Sequence, residues 1–390
     1  MQKTSQTSIL LLTLGCFLAF FVFGFTDNLK GPTLPAILNE LRIDYGTGGN
    51  ILFGVYLGFL IATIVTGFLA DRFGLKLVLL LAGACLILGV SGYSVAQSVW
   101  PLSGSIFVIG LGLGALELGP NAIIVSLHQD RKGLYLNLMA VLHGLGSTLA
   151  PLFAGWLLSL SIGWRVIYRW DLLLIALFVI NFLFLRFPRA EAKTELDFRE
   201  IPRLAFKGNM PWFYISIAFY VAVEIGMASW LVIFLQSEHN LSVTSSNQAL
   251  SLFFAMLMIG RLLGGFIVHR VGYLRSIFFA SLGTLTFIAL GLFGPAGLYF
   301  FLPLTGLCLS IIFPTLTAAV SDSHTGNTNT ILGLLFTFAG IGGIIGPWLV
   351  GWGSDLFGLR SGFAINLFFA MALLISIVVL LKGKIYGKNT

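Results

Sequence analysis

The sequence predicts an all-α membrane protein with twelve transmembrane helices arranged as two pseudosymmetric six-helix bundles. Three observations lead there. Of 390 residues, 57% are hydrophobic and only 9% are charged, whereas a soluble domain carries about 25% charged residues. Twelve apolar segments are each long enough to cross a hydrocarbon core, which takes about 20 residues of helix. Short patterns in the first half of the chain also recur in the second at nearly one offset.

The composition excludes an ordinary soluble fold. A chain with a mean hydropathy of +0.98 cannot hide its apolar side chains in its own interior, so lipid must meet most of its surface. The net charge of +7 is too sparse for a nucleic-acid footprint. Cys16, Cys85 and Cys308 lie in separate apolar runs without metal-ligand spacing. They are expected to pack as small apolar residues, with no disulfide and no metal site. The apolar run from Ser8 past Phe25 is too long for a signal-peptide core and has no small-residue cleavage site after it, so it reads as the first span.

Spans are expected near residues 8–38, 48–70, 75–97, 100–126, 134–160, 168–187, 211–236, 245–268, 273–294, 297–320, 327–351 and 359–382. One polar stretch interrupts them, holding Arg189, Glu191, Lys193, Glu195, Asp197, Arg199, Glu200, Arg203 and Lys207. The expected organisation is an N-terminal bundle over 1–187, a cytoplasmic connecting loop over 188–210 and a C-terminal bundle over 211–390. Lys and Arg concentrate on cytoplasmic loops. With both termini inside, sixteen lie on the inner side: Lys3, Arg72, Lys76, Arg131, Lys132, six from Arg186 to Lys207, Arg270, Arg275, Lys382, Lys384 and Lys388. Four, Arg42, Arg165, Arg169 and Arg360, lie on the outer side. That asymmetry places both termini in the cytoplasm.

The repeat is visible in three places. Gly144, Gly146, Pro151, Gly155 and Trp156 recur as Gly340, Gly342, Pro347, Gly351 and Trp352. Gly67, Phe68, Arg72 and Gly74 recur as Gly265, Phe266, Arg270 and Gly272, and Gly112 with Pro120 recurs as Gly306 with Pro314. Three matches at offsets between 194 and 198 point to duplication. Parallel six-helix halves of this kind are the arrangement of major facilitator transporters.

Between spans 2 and 3 the chain reads Gly67-Phe-Leu-Ala-Asp71-Arg72-Phe-Gly74-Leu-Lys76. This resembles the cytoplasmic signature of the major facilitator superfamily. Gly67 would let two helices approach closely and Gly74 would permit a tight turn. Asp71 would pair with basic groups across the two halves and hold the cytoplasmic side shut. Gly67, Asp71, Arg72, Gly74, Lys76 and Arg270 therefore form the expected conformational latch. It is expected to be asymmetric, because His269 stands where the first half has Asp71.

Ionisable groups inside a membrane helix are costly and are functional candidates by default. Span 1 carries Asp27, Asn28 and Lys30, followed by Gly31, Pro32 and Pro35. Asp27 and Lys30, three apart, share a face and can neutralise each other. Pro32 lacks an N–H and favours an interrupted helix. Span 4 carries Glu117 and Asn121 one turn apart, and span 7 carries Tyr220 and Glu224 likewise. An offset of 197 carries Asp27 onto Glu224, so the two halves hold carboxylates at equivalent positions. Glu117 has no twin, since an offset of 194 lands on Ile311. An acid without a twin in an apolar span is suited to taking up and releasing a proton. Glu117, Asp27 and Glu224 are accordingly the proton-coupling candidates. Each also has a structural alternative: a hydrogen-bonded acid, or for Asp27 a permanent ion pair with Lys30.

Substrate contacts are expected from Asn28, Glu117, Asn121, Asn137, His143, Tyr220, Glu224, Trp230 and Phe336. The amides and acids supply hydrogen bonds and the aromatics cover apolar faces. A lone histidine such as His143 is equally a packing residue. No phosphate loop, zinc spacing or nucleophile elbow occurs in the right context, so neither an enzyme nor a cofactor is expected.

Several segments resemble one branch of the superfamily, the fucose–galactose–glucose:proton symporters. They are Asp27-Asn28-Leu29 through Pro35, Gly112 through Asn121, Leu136-Asn137-Leu138, Tyr220 through Trp230, Phe313-Pro314-Thr315, and Gly340 through Pro347. The resemblance implies proton-coupled uptake of a neutral sugar by a monomer in a bacterial plasma membrane. It implies that Glu117 serves sugar recognition and proton coupling, with Asn121 one turn on. The chain departs from the family pattern twice. The branch's span-1 aspartate falls on Gly31, and its uncharged span-7 position is Glu224. Asp27 could have taken over, coupling could differ, or the protein could be a uniporter. The rival transport reading is a proton antiporter exporting amphipathic or cationic compounds. A sensor keeping the transporter fold is the alternative from another class.

Overall fold

The computed structural model describes residues 6–185, 187, 208–322 and 328–386. Among these residues every regular element is helical. In chain order the helices are α1 (Gln6–Asp27), α2 (Lys30–Leu41), α3 (Tyr45–Phe73), α4 (Leu75–Val95), α5 (Val99–Leu127), α6 (Lys132–Ser159) and α7 (Trp164–Phe184). They continue as α8 (Met210–His239), α9 (Val243–Val271), α10 (Tyr273–Phe293), α11 (Phe301–Leu309), α12 (Ile312–Asp322), α13 (Thr328–Phe357), α14 (Leu359–Phe363) and α15 (Ile365–Tyr386). Three neighbouring pairs, α1 with α2, α11 with α12 and α14 with α15, each make one broken span. The described residues thus contain 12 spans long and apolar enough to cross a membrane. Most of the loop expected over 188–210, with its cluster of basic residues, lies outside the described residues, as do Lys3 and Lys388.

Proline chemistry explains two of the breaks. Pro32 has no N–H to give to the carbonyl of Asn28, and α1 stops at Asp27 with Asn28 and Leu29 in the turn. The ladder resumes when the Thr33 amide donates to the Leu29 carbonyl at 3.2 Å. Pro314 acts the same way on Ser310, and the Thr315 amide picks up the Ile311 carbonyl at 3.1 Å. Pro120, by contrast, sits inside an unbroken α5. The sixth span starts at Trp164, four residues before its expected first residue. There the Trp164 ring meets Tyr93 edge-on at 5.6 Å and anchors the first turn of α7.

The chain divides into two units, Met1–Ile43 with Asn50–Thr194, and Asp44–Gly49 with Glu195–Thr390. Inside the first unit α1 packs on α6, and α4 packs on both α5 and α7. Inside the second, α8 packs on α13, and α10 packs on both α11 and α15. Element for element this is the same packing, so the sequence repeat is also a structural one.

Helices in lipid gain little from burying apolar surface against one another and rely on close van der Waals contact through small residues. A Cβ placed on Gly146 would lie 2.3 Å from the Phe21 carbonyl oxygen, and one on its repeat Gly342 would lie 2.0 Å from the Ala218 oxygen. Backbone touches backbone at both crossings, and only glycine fits. Another tie recurs: the Arg165 guanidinium donates to the Ala96 carbonyl, and Arg360 donates to the Leu292 carbonyl at 2.6 Å. Outward-facing side chains such as Leu88, Phe184, Phe266 and Phe357 are large, apolar and exposed. On a soluble protein that surface would aggregate; against acyl chains it is the matched solvent.

Candidate functional site

The break in the first span concentrates the polar groups of the first unit. Lys30, the first residue of α2, pairs with Asp27, the last residue of α1. The Lys30 ammonium also donates to the Tyr56 hydroxyl at 2.8 Å and lies 4.3 Å from that ring's centroid. The lysine side chain is only 7% exposed and the aspartate 15%. The sequence places these two charges one turn apart; the turn between the two helices brings them into contact. Asn28 spends both amide hydrogens nearby, on the Gly24 carbonyl at 2.9 Å and on Ser147 Oγ at 3.0 Å. Its role is therefore largely to brace the break against α6, with its carbonyl oxygen the atom left to offer a ligand.

Glu117 and Asn121 are half-buried on α5, one turn apart. The Asn121 amide donates to the Glu117 backbone carbonyl at 2.7 Å. His143 on α6 is half-buried, with its ring edge-on to Phe23 at 4.7 Å. Asn137, five residues into α6, is exposed.

In the second unit, Glu224 on α8 lies 3.4 Å from the Arg261 guanidinium on α9. Tyr220, one turn earlier on α8, is wholly buried, with its ring 6.1 Å from Phe313. Phe313 stacks in turn on Phe336 at 5.7 Å and nearly parallel, and Phe336 keeps 40% of its surface exposed. Tyr220, Phe313 and Phe336 thus form one aromatic group beside an acid–guanidinium pair. Trp230 lies elsewhere: it is fully buried, its indole N–H donates to the Pro347 carbonyl at 2.9 Å, and its ring meets Tyr45. In this structure it serves the packing of α8 on α13.

The expected latch residues separate into different jobs. Gly74 has φ +84° and ψ 157°, a conformation that side chains with a Cβ rarely adopt, and it terminates α3 as expected. Gly67 differs from expectation, because a Cβ there would meet nothing within 4 Å. The close-approach role falls instead to Gly146 and Gly342. Asp71, Arg72 and Arg270 are exposed at the ends of their helices. Lys76 is committed inside the first unit: its ammonium donates to the carbonyls of Leu183 at 2.9 Å and Leu185 at 3.0 Å. There it caps the negative end of α7.

Three features escaped the sequence reading. Arg261, the partner of Glu224, comes from a different helix, and spacing within one helix cannot reveal it. Asp171 on α7 is buried, and its Oδ1 accepts from the Thr26 hydroxyl at 3.1 Å. The third is a further copy of the turn motif, Gly351-Trp-Gly-Ser-Asp355-Leu-Phe-Gly358-Leu-Arg360. Gly358 has φ +83° and ψ 157°, almost the backbone of Gly74. Within the second unit the Asp355 carboxylate accepts from the amides of Tyr45 at 2.9 Å and Gly46 at 2.6 Å.

Similarity to known proteins agrees with this architecture. A glucose/galactose transporter of Brucella abortus is 26% identical over 379 residues, covering 89% of this chain and 88% of its own. Among solved structures, the nucleoside transporter NupG superposes with a TM-score of 0.76 at 14% identity, covering 97% of this chain and 99% of that one. A point variant of the E. coli fucose:proton symporter FucP gives 0.66 at 19% identity, covering 95% and 99%. The family model described as Major Facilitator Superfamily matches residues 16–338. The chain belongs to the major facilitator superfamily.

Proposed function

We propose that this transporter couples the inward movement of a neutral hexose or deoxyhexose to a proton. It works by alternating access of its two units, as a monomer in a bacterial plasma membrane with both termini cytoplasmic. The observation that carries this reading is the pairing of Glu117 with Asn121, one turn apart on α5. Both residues lie in one of the segments that resemble the sugar:proton symporters. A relative named as a glucose/galactose transporter, matching nearly nine-tenths of the chain, supports the same substrate class.

The chemistry suits a polyhydroxylated ligand. Asn121 uses one amide hydrogen on its own helix, which leaves its carbonyl oxygen and second hydrogen for hydroxyl groups. Glu117 accepts from a sugar hydroxyl when ionised and donates when protonated, so its proton state changes how it holds the ligand. Such a difference between states is what coupling requires. The exposed face of Phe336, backed by Phe313, offers an apolar plane to a pyranose ring. Asp27 beside Lys30 and Glu224 beside Arg261 are locally neutralised. Neutralised acids attract a cation weakly, which favours the sugar reading over export of cationic compounds. Asp71 remains the proposed cytoplasmic latch.

Glu117→Gln tests the reading. The variant should lose accumulation of labelled glucose or galactose against a gradient while retaining exchange of the same sugar across proteoliposomes. Wild-type accumulation in the variant would remove Glu117 from coupling.

A further inference from the structure

Transport as described leaves one buried acid of the first unit unused. Asp171 is 1% exposed. Its Oδ1 accepts from Thr26 Oγ1 at 3.1 Å, and its Oδ2 is buried with no hydrogen-bond partner among the described residues. The elements packed on α7 are α4, α1, α6 and α2. From α1 come Thr26 and, next in sequence, Asp27. From α2 come Lys30 and Thr33. From α4 come Tyr93 and Cys85, with Lys76 engaged on carbonyls at the other end of α7. From α6 comes His143, packed on Phe20 and Phe23. On α7 itself stand Tyr168, one turn away, and the more exposed Arg165 and Arg169.

Lys30 and Arg165 are already committed, and Arg169 is exposed. Lys30 is engaged by Asp27 and Tyr56, and Arg165 by Glu40 and the Ala96 carbonyl. Among the described residues an ionised Asp171 would have one threonine hydroxyl as its hydrogen-bond donor, a costly arrangement for a buried charge. Its one hydrogen bond among the described residues runs to Thr26, next in the chain to Asp27. Thr33, one turn along α2 from Lys30, has its hydroxyl 3.3 Å from that of Tyr168.

We infer that Asp171 is a second proton-holding site of the transporter, tied through Thr26 to the break in the first span that carries Asp27. Taking up a proton forms the O–H bond at Asp171 and releasing it restores the carboxylate, with the Thr26 hydroxyl held on Oδ1. Thr26, bonded to Asp171 and adjacent to Asp27 in the chain, acts as a positioning residue. The inference rests on the proton-coupled reading above.

The test uses the full-length protein with labelled galactose as probe, alongside infrared spectra of the same purified samples recorded over a range of pH. Asp171→Asn, which keeps shape and removes the exchangeable acid, should lose proton-driven accumulation and keep galactose exchange. It should also lose a carboxylic-acid band that the wild type shows at neutral pH and that Glu117→Gln retains. Thr26→Val should shift that band, which gives a readout if Asp171→Asn does not fold. A merely structural role would leave the pH profile of uptake unmoved, even where the substitution removes the band. Wild-type accumulation matched by Asp171→Asn, with an unchanged pH profile and spectrum, overturns the inference. If the wild type does not accumulate galactose, the symport reading fails on its own terms and the infrared band decides Asp171. Its presence at neutral pH and loss in Asp171→Asn sustain the site, and identical spectra reject it.

Discussion

Replacing Lys30 with methionine removes a charge from a place where its partner has little water to fall back on. The ammonium contacts Asp27 and the Tyr56 hydroxyl and lies over the Tyr56 ring. Exposure of 7% for the lysine and 15% for the aspartate puts the pair in the buried class. Removing one partner of such a pair costs about 3–5 kcal/mol, whereas replacing both is often near neutral. The remaining exposure of Asp27 argues for the lower end, so Lys30→Met should cost about 3 kcal/mol. Asp27→Asn should also destabilise, because it strands the ammonium. The double variant Asp27→Asn with Lys30→Met should recover most of the loss, leaving a coupling of about 2 kcal/mol or more in the cycle. Reversible unfolding in mixed micelles, followed by far-ultraviolet circular dichroism, measures all four proteins. Additive single effects would refute the reasoning, since they would mean the two charges do not sense each other.

Other expectations follow from local geometry. Gly342→Leu would drive a Cβ into the Ala218 carbonyl oxygen 2.0 Å away and should cost at least about 1–3 kcal/mol. Gly333→Ala, with nothing within 4 Å of the added atom, serves as a control that should unfold like wild type. Asp44 caps α3 by accepting from the Thr47 amide at 2.7 Å, and hydrogen bonds from the Thr47 hydroxyl and then its amide hold the carboxyl below the usual carboxylate range. The cap should contribute about 1 kcal/mol. That stability is fully present above the ordinary value near pH 4 and lost as pH falls through the lowered one. Asp44→Ala should therefore remove this part of the acid-side stability loss, as read by denaturant titrations at several pH values. Asp71→Asn should weaken the proposed latch and speed thiol labelling of a single cysteine introduced at Asn137. Unchanged labelling would count against a latch at Asp71.

Features that depend on one segment of chain were legible from sequence. Apolar runs marked the spans, the missing N–H of Pro32 marked the break in span 1, and the spacing of Asp27 and Lys30 marked their pairing. Gly74 was legible because its turn needs a positive φ. Features made by two helices were less so. Nothing in the spacing of Glu224 points to Arg261, which reaches it from α9, and nothing at Lys76 reveals that it serves the end of α7. Gly67 looked like a contact glycine because of its motif, yet the backbone contacts fall at Gly146 and Gly342. Those positions were visible as a repeat without their neighbours being known. Asp171 met the criterion that singled out Glu117, an acid in an apolar run. A sixth span beginning at residue 168 puts Asp171 near its edge, beside Arg165 and Arg169. Starting α7 at Trp164 moves it two turns into the helix. The Asp355 copy of the turn motif is also readable from Gly351, Gly358 and Arg360, at the boundary of the last two spans.

Proteoliposome uptake of labelled hexoses and deoxyhexoses, with and without an inward proton gradient, bears most directly on proton-coupled sugar transport. Accumulation of one sugar above its external concentration, dependent on the gradient and lost in Glu117→Gln, is the expected result. Equilibration of that sugar without gradient-driven accumulation would contradict the coupling, and failure of every sugar to enter would contradict the substrate class.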